Sequence, residues 1–164
     1  QSGEIDGGVL ALPVESDGLA SLPLYDEPFV LAVPSDHALA KRKTAQPRDL
    51  DGQTLLLLED GHCLRDQALE VCSLSNAQEK QDFRATSLET LRQMVASGAG
   101  ITLLPDLASR GAYGTARGVN IIPFARPAPV RHVGIVWRKS SARGKAIEAV
   151  GREIADAVHK LFKA

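Results

Sequence analysis

The chain predicts an α/β fold in two lobes. Short apolar runs alternate with segments of helical periodicity, the pattern of βαβ units with a mostly parallel sheet and helices on both faces. Two proline-bearing stretches, YDEP at Tyr25–Pro28 and RPAPVRH at Arg126–His132, read as crossings between lobes. With 164 residues, 44% of them apolar, the chain can bury a core of ordinary size for either one domain or two small lobes.

Each element has its own signal. Val9–Leu12, Leu22–Tyr25, Phe29–Val33, Thr54–Leu58, Ile101–Leu104, Val119–Ile122 and Val133–Trp137 are short apolar runs of strand length. Cys63–Cys72, Ser87–Ser97 and Ala142–Phe162 carry helical spacing. In TSLETLRQMVASGAG, Thr86 is placed to cap the helix, and Glu89 three residues on would complete a capping box. Leu88, Leu91 and Val95 form its apolar stripe, and Gly98 or Gly100 supplies the left-handed stop. This helix either just covers a sheet or points its free N–H groups into a cleft. In the second case Thr86 and Ser87 would meet an anionic or polar ligand. The opening residues Gln1–Asp6 read as the tail of a helix that begins elsewhere, as in a fragment of a longer protein.

Composition narrows the function classes. Nineteen basic against 20 acidic residues give a net charge of -1, which offers no footprint for nucleic acid on this chain itself. No apolar run approaches a membrane span, and no signal-peptide pattern is present. Two cysteines do not make a secreted disulfide scaffold, so a reducing cytoplasm is expected. His37, His62, His132 and His159 are scattered, with no pair of ligands at zinc spacing; no metal and no cofactor are expected.

Both cysteines fall in one stretch, EDGHCLRDQALEVCSLSN at Glu59–Asn76. Cys63 follows a glycine turn and sits in the first turn of a helix. There the unpaired N–H groups and the dipole favour a thiolate. His62 and Arg65 would help if they face the sulfur, whereas Glu59, Asp60, Asp66 and Glu70 oppose it. A cation from elsewhere, Arg131 first among them, would decide the balance. Nine residues of α-helix span about 13.5 Å and turn about 900°, so the thiols lie on opposite sides. A disulfide needs Cα atoms within about 7 Å, so the pair cannot join while the helix is intact. Leu64, Ala68 and Val71 form the inward stripe with Cys72 at its edge, leaving Cys63 nearer solvent or a cleft. One reading is two unrelated thiols, one of them core filler. The other is a redox pair whose closure melts a helix. A Cys–His hydrolase also fits the spacing, although nothing marks an oxyanion hole.

LLLLEDGHCLRDQALEVC followed by FRATSLETLRQMVASGAGITLLP closely resembles the regulatory domain of the OxyR family, peroxide-sensing LysR-type transcription regulators. The second motif is shared by LysR-type effector domains generally and speaks to fold; GHCLRDQ with a cysteine nine residues after the first is specific to the peroxide sensors. SGEIDGGVLALPV, LYDEPFVLAVPSDHALA and VGIVWR extend the resemblance over nearly the whole chain. It implies a two-lobed, periplasmic-binding-protein-like fold, with residues 1–27 plus 131–164 as an incomplete first lobe and 28–130 as the second. Cys63 then matches the peroxide-reactive thiol and Cys72 the resolving one. His62, Asp66 and Arg131 match residues that surround or support the reactive thiol. The family's chemistry runs through a sulfenic acid to a disulfide and a rearrangement, with no enzymatic turnover. The resemblance further implies hydrogen peroxide as the stimulus, a dimeric or tetrameric assembly and a thiol reductant such as glutaredoxin. Promoter DNA and RNA polymerase are reached only through the full-length protein. The winged helix-turn-helix and the opening strands and helices of the first lobe are expected to be missing from this chain, and with them two hydroxyl-bearing residues that meet peroxide. Three other readings compete: an effector domain binding a small carboxylate at Thr86 and Ser87, a thiol peroxidase, and a solute-binding protein.

Overall fold

The computed structural model describes residues 5–14, 16–72, 78–110 and 117–163. In chain order the elements are β1 (Gly7–Leu12), β2 (Leu19–Pro34), β3 (Thr54–Leu58), α1 (Cys63–Cys72), β4 (Gln78–Ala85), α2 (Leu88–Ala96), β5 (Thr102–Pro105), α3 (Asp106–Ser109), β6 (Val119–Pro123), β7 (Val130–Arg138) and α4 (Gly144–Lys163). Short 3-10 turns lie at Ala38–Lys41 and Pro47–Leu50. The chain forms two compact units, Gln1–Glu27 with Arg131–Ala164, and Pro28–Val130.

In the first unit β7 lies between β1 and β2. β1 and β7 are antiparallel, with Gly7 opposite Trp137 and Leu12 opposite His132. Leu24, Ile135, Trp137 and Ile147 make the buried centre, with Leu22, Tyr25 and Ile154 packed around it. The long helix α4 turns Ile147, Ile154 and Val158 inward, at the spacing of one helical face. Tyr25 meets Phe162 edge to face, ring centres 6.1 Å apart.

The second unit holds the larger core, in which Phe29, Leu31, Leu50, Leu55, Leu56, Leu91, Leu103, Leu104 and Ile122 are nearly inaccessible. The far half of β2 pairs antiparallel with β5 and with β6. β3 and β4 run parallel and finish side by side, Leu58 opposite Ala85. A parallel bridge between Leu55 and Ile101 ties β3 to the chain entering β5. Its hydrogen bonds run from Leu56 N to the Ile101 carbonyl (2.8 Å) and from Ile101 N to the Thr54 carbonyl (2.9 Å).

Several expectations change here. The sheet is not mostly parallel: β1–β7, β2–β5 and β2–β6 are antiparallel, and β3–β4 carries the parallel pairing. Leu22–Tyr25 and Phe29–Val33 are not separate strands but parts of one 16-residue strand. Pro28, which has no N–H to give, sits just before β2 takes up β5 and β6, so it costs no ladder bond to either. β4 has no sequence signal, because QEKQDFRA shows neither an apolar run nor alternation. At α2 the capping residue is Ser87, not Thr86. The Ser87 hydroxyl accepts from Thr90 N at 3.1 Å, and Glu89 turns to Arg92 and Gln93 instead of completing a box. Gly98, at φ 81°, makes the left-handed stop. The helix end expected over Gln1–Asp6 lies mostly outside the described residues, and Ile5 and Asp6 lead into β1 without a helical turn.

Candidate functional site: a cysteine pair on one helix

The site grows out of the parallel pair β3–β4. In α/β folds ligands commonly bind beyond the carboxyl ends of the parallel strands, where the connecting chain leaves the sheet. Beyond Leu58 the backbone reverses at Gly61, at φ 91°, a conformation that side chains with a Cβ resist. Glu59 N donates to the Ala85 carbonyl at 3.0 Å, which ties this turn to the end of β4. α1 then begins, with Arg65 N donating to the His62 carbonyl at 2.8 Å. α2 begins just beyond Ala85. The starts of both helices, and so His62, Cys63 and Asp66 as well as Thr86 and Ser87, share one edge of the β3–β4 pair.

α1 is continuous over its 10 residues and carries Cys63 at one end and Cys72 at the other. Both are free thiols, Cys63 exposed and Cys72 buried. Cys72 is 6% exposed, among Leu64, Ala68 and Val71 of the same core. Burial pushes its thiol from 9.0 up to about 11, which keeps it protonated and a poor nucleophile where it sits. The intact helix thus presents one thiol and withholds the other.

Arg65 does not serve Cys63 as the sequence allowed. It is buried and turned to the strands. Nε lies 2.9 Å from Asp60 Oδ1, Nη1 lies 2.8 Å from Glu79 Oε1, and Nη2 donates to Glu79 Oε2 at 3.0 Å. Nη1 also reaches the Leu58 carbonyl at 3.3 Å. Arg84 joins the same two carboxylates. The hydrogen bond from Arg65 holds the Glu79 carboxyl below the usual carboxylate range, and the same bond pushes the Arg65 guanidinium up. This four-residue network was not anticipated, although one sign of it was visible. Arg65 falls on the inward stripe with Leu64, Ala68 and Val71, where an unpaired charge would be intolerable.

Arg131 belongs to the other compact unit, in β7. Its guanidinium grips Glu27, Nε donating to Oε2 at 2.8 Å and Nη2 lying 2.7 Å from the same oxygen. Glu27 is 1% exposed, so a buried carboxylate is matched here by a fixed cation. Next to this pair, His132 Nδ1 meets Asp26 Oδ1 at 2.6 Å. At α2, the Ser87 hydroxyl is engaged with Thr90 N and with the Thr90 hydroxyl at 3.0 Å, and Thr86 is exposed. Among the described residues, no group of three or more His, Cys, Asp or Glu side chains is arranged to hold a metal ion. No described helix is long and apolar enough to cross a membrane.

An α/β chain of two compact units, with two helices starting beyond one pair of parallel strands, defines a class, and comparison with known proteins assigns it. The chain belongs to the LysR substrate binding domain family, whose model matches residues 1–158. It is 47% identical over 153 residues to the DNA-binding transcriptional dual regulator OxyR of Escherichia coli K12. That match covers 93% of this chain and 50% of the relative. The crystal structure of the oxidised form of OxyR is 46% identical, covers 94% of this chain and 73% of its own, and superposes with a TM-score of 0.81. A hydrogen-peroxide-bound cysteine-to-serine variant of Corynebacterium glutamicum OxyR is 35% identical, covers 97% of this chain and 51% of its own, with a TM-score of 0.87. The chain thus spans about half the length of the full regulators it resembles.

Proposed function

We propose that this chain is the peroxide-sensing part of a transcription regulator, with Cys63 as the reactive thiol and Cys72 as its resolving partner. One observation carries the reading: a single short helix holds an exposed thiol at its start and a buried one at its end. That arrangement makes closure of a disulfide and opening of the helix one event. A relative whose solved form holds hydrogen peroxide, and another in an oxidised form, support it.

The Cys63 thiolate attacks one oxygen of hydrogen peroxide. The S–O bond forms as the O–O bond breaks, and the departing hydroxide takes a proton to become water. Sulfur is oxidised by two electrons and peroxide is reduced by two. The N–H groups at the start of α1 stabilise negative charge there. His62, Asp66 and Arg131 are the supporting side chains of this proposal, and Arg131→Gln should slow the peroxide step. α1 then opens, and the freed Cys72 thiolate attacks the sulfenic sulfur. The S–S bond forms and a second hydroxide leaves as water. The new backbone arrangement is the signal that the full-length regulator would pass to promoter DNA and RNA polymerase. The protein would act in the cytoplasm as a dimer or tetramer, and a thiol reductant such as glutaredoxin would reset it.

Brief treatment of the reduced chain with stoichiometric peroxide, followed by intact mass and peptide mapping, tests the proposal. Loss of two hydrogens, mapped to a Cys63–Cys72 link, is the expected result. Two free thiols after treatment would refute it.

A further inference from the structure

We infer that the ionic network of Asp60, Arg65, Glu79 and Arg84 is the latch that sets how fast the disulfide closes, with Arg65 as the positioning residue. The inference rests on the reading of Cys63 and Cys72 given above and adds the element that governs their second step.

The argument starts from helix length. A helix of 10 residues is too short to persist in water by itself, and fragments of one turn are less stable still. Bringing residues 63 and 72 from about 13.5 Å to within about 7 Å therefore dissolves α1 as a unit. Arg65, two positions after Cys63, is carried with it. Two kinds of contact hold the helix closed: the burial of Leu64, Ala68, Val71 and Cys72, and the grip of Arg65 on the strands beneath.

That grip is built to count. The Arg65 side chain is 8% exposed and that of Glu79 is 18% exposed, so their contacts are stronger than those of a surface pair, while Asp60 at 70% and Arg84 at 32% leave the network open to screening by salt. Asp60 precedes the helix in the turn after β3, whereas Glu79 lies in β4, beyond Cys72. The guanidinium thus bridges the two flanks of the segment that must open, while Arg84 from β4 holds both carboxylates in place. Among the described contacts none joins the network to the Cys63 sulfur. It should act on opening and closure, leaving the attack on peroxide alone.

The test separates the two chemical steps in the intact chain. Sulfenic acid formation at Cys63 is followed with dimedone after a peroxide pulse, and disulfide formation by acid quench and mass spectrometry. Glu79→Gln should form sulfenic acid at the wild-type rate but close the disulfide about 10-fold faster or more, the scale expected for losing a charge-assisted hydrogen bond and its ion pair. Arg65→Lys, which keeps charge and loses the bidentate grip, should fall between them. Wild-type closure should also speed up severalfold between 0.05 and 1 M salt, on the order expected for weakened ion pairs, and Glu79→Gln should respond less. Equal closure rates in wild type and Glu79→Gln overturn the inference, as does a salt-independent wild-type rate, which needs no variant to fold. Wild-type chain that forms neither sulfenic acid nor disulfide overturns the underlying reading instead.

Discussion

Cys72 offers the sharpest quantitative consequence of the fold. Its thiol titrates at about 11 instead of 9.0 because it is buried. Only the thiolate reacts, so at pH 7.5 the ionised fraction is about 100-fold smaller than for the same thiol in water. In a Cys63→Ser chain, where Cys72 alone reports, iodoacetamide should label folded protein at least about 100-fold more slowly than protein unfolded in urea at the same pH. Rates come from timed quenches and peptide mass spectrometry. The shift also links stability to pH. The folded state holds this proton more tightly than the unfolded one, so the contribution is complete below about pH 9 and is lost as pH rises towards 11. The loss amounts to about 3 kcal/mol. The alkaline fall in urea midpoint should accordingly be shallower in Cys72→Ala than in wild type. Labelling of folded and unfolded Cys72 at rates within threefold of each other would refute the reasoning.

Four further outcomes follow from the same structure. Cys63→Ser should abolish the peroxide response, measured as disulfide formation or change in amide exchange. Cys72→Ser should accumulate a sulfenic acid that dimedone traps at Cys63, and an untrapped, unoxidised Cys63 would count against the assigned order of attack. Gly100→Ala should destabilise the second unit by roughly 1–3 kcal/mol in urea titration, because the added Cβ would stand 2.5 Å from the Thr54 carbonyl oxygen, and backbone there cannot yield cheaply. Glu27→Ala, which strips the buried partner from Arg131, should cost about 3 kcal/mol by the same measure.

What could be read from residues alone depended on how local the cause was. The ends of α1 and the contrast between its thiols were legible, because helical geometry and the stripe Leu64, Ala68, Val71 decide them within ten residues. The α2 stripe and its glycine stop were legible for the same reason, but its cap was misplaced by one residue. Thr86 and Ser87 are chemically equal candidates, and only the backbone path beyond β4 turns the Ser87 hydroxyl to the Thr90 amide. β4 itself was invisible: its pairing with β3 is a long-range choice that a polar strand does not advertise. The destination of Arg65 was hidden by that omission, since Glu79 belongs to the unseen strand. Glu27 and Arg131, 104 residues apart in sequence, likewise meet only through the fold.

The central claim is that α1 must open for its two thiols to meet. Amide hydrogen exchange across Leu64–Cys72, compared in reduced and peroxide-oxidised protein, measures this directly. Protection should collapse over this helix on oxidation while Thr54–Leu58 keeps its own. A disulfide between Cys63 and Cys72 with the helix amides still protected would contradict the account.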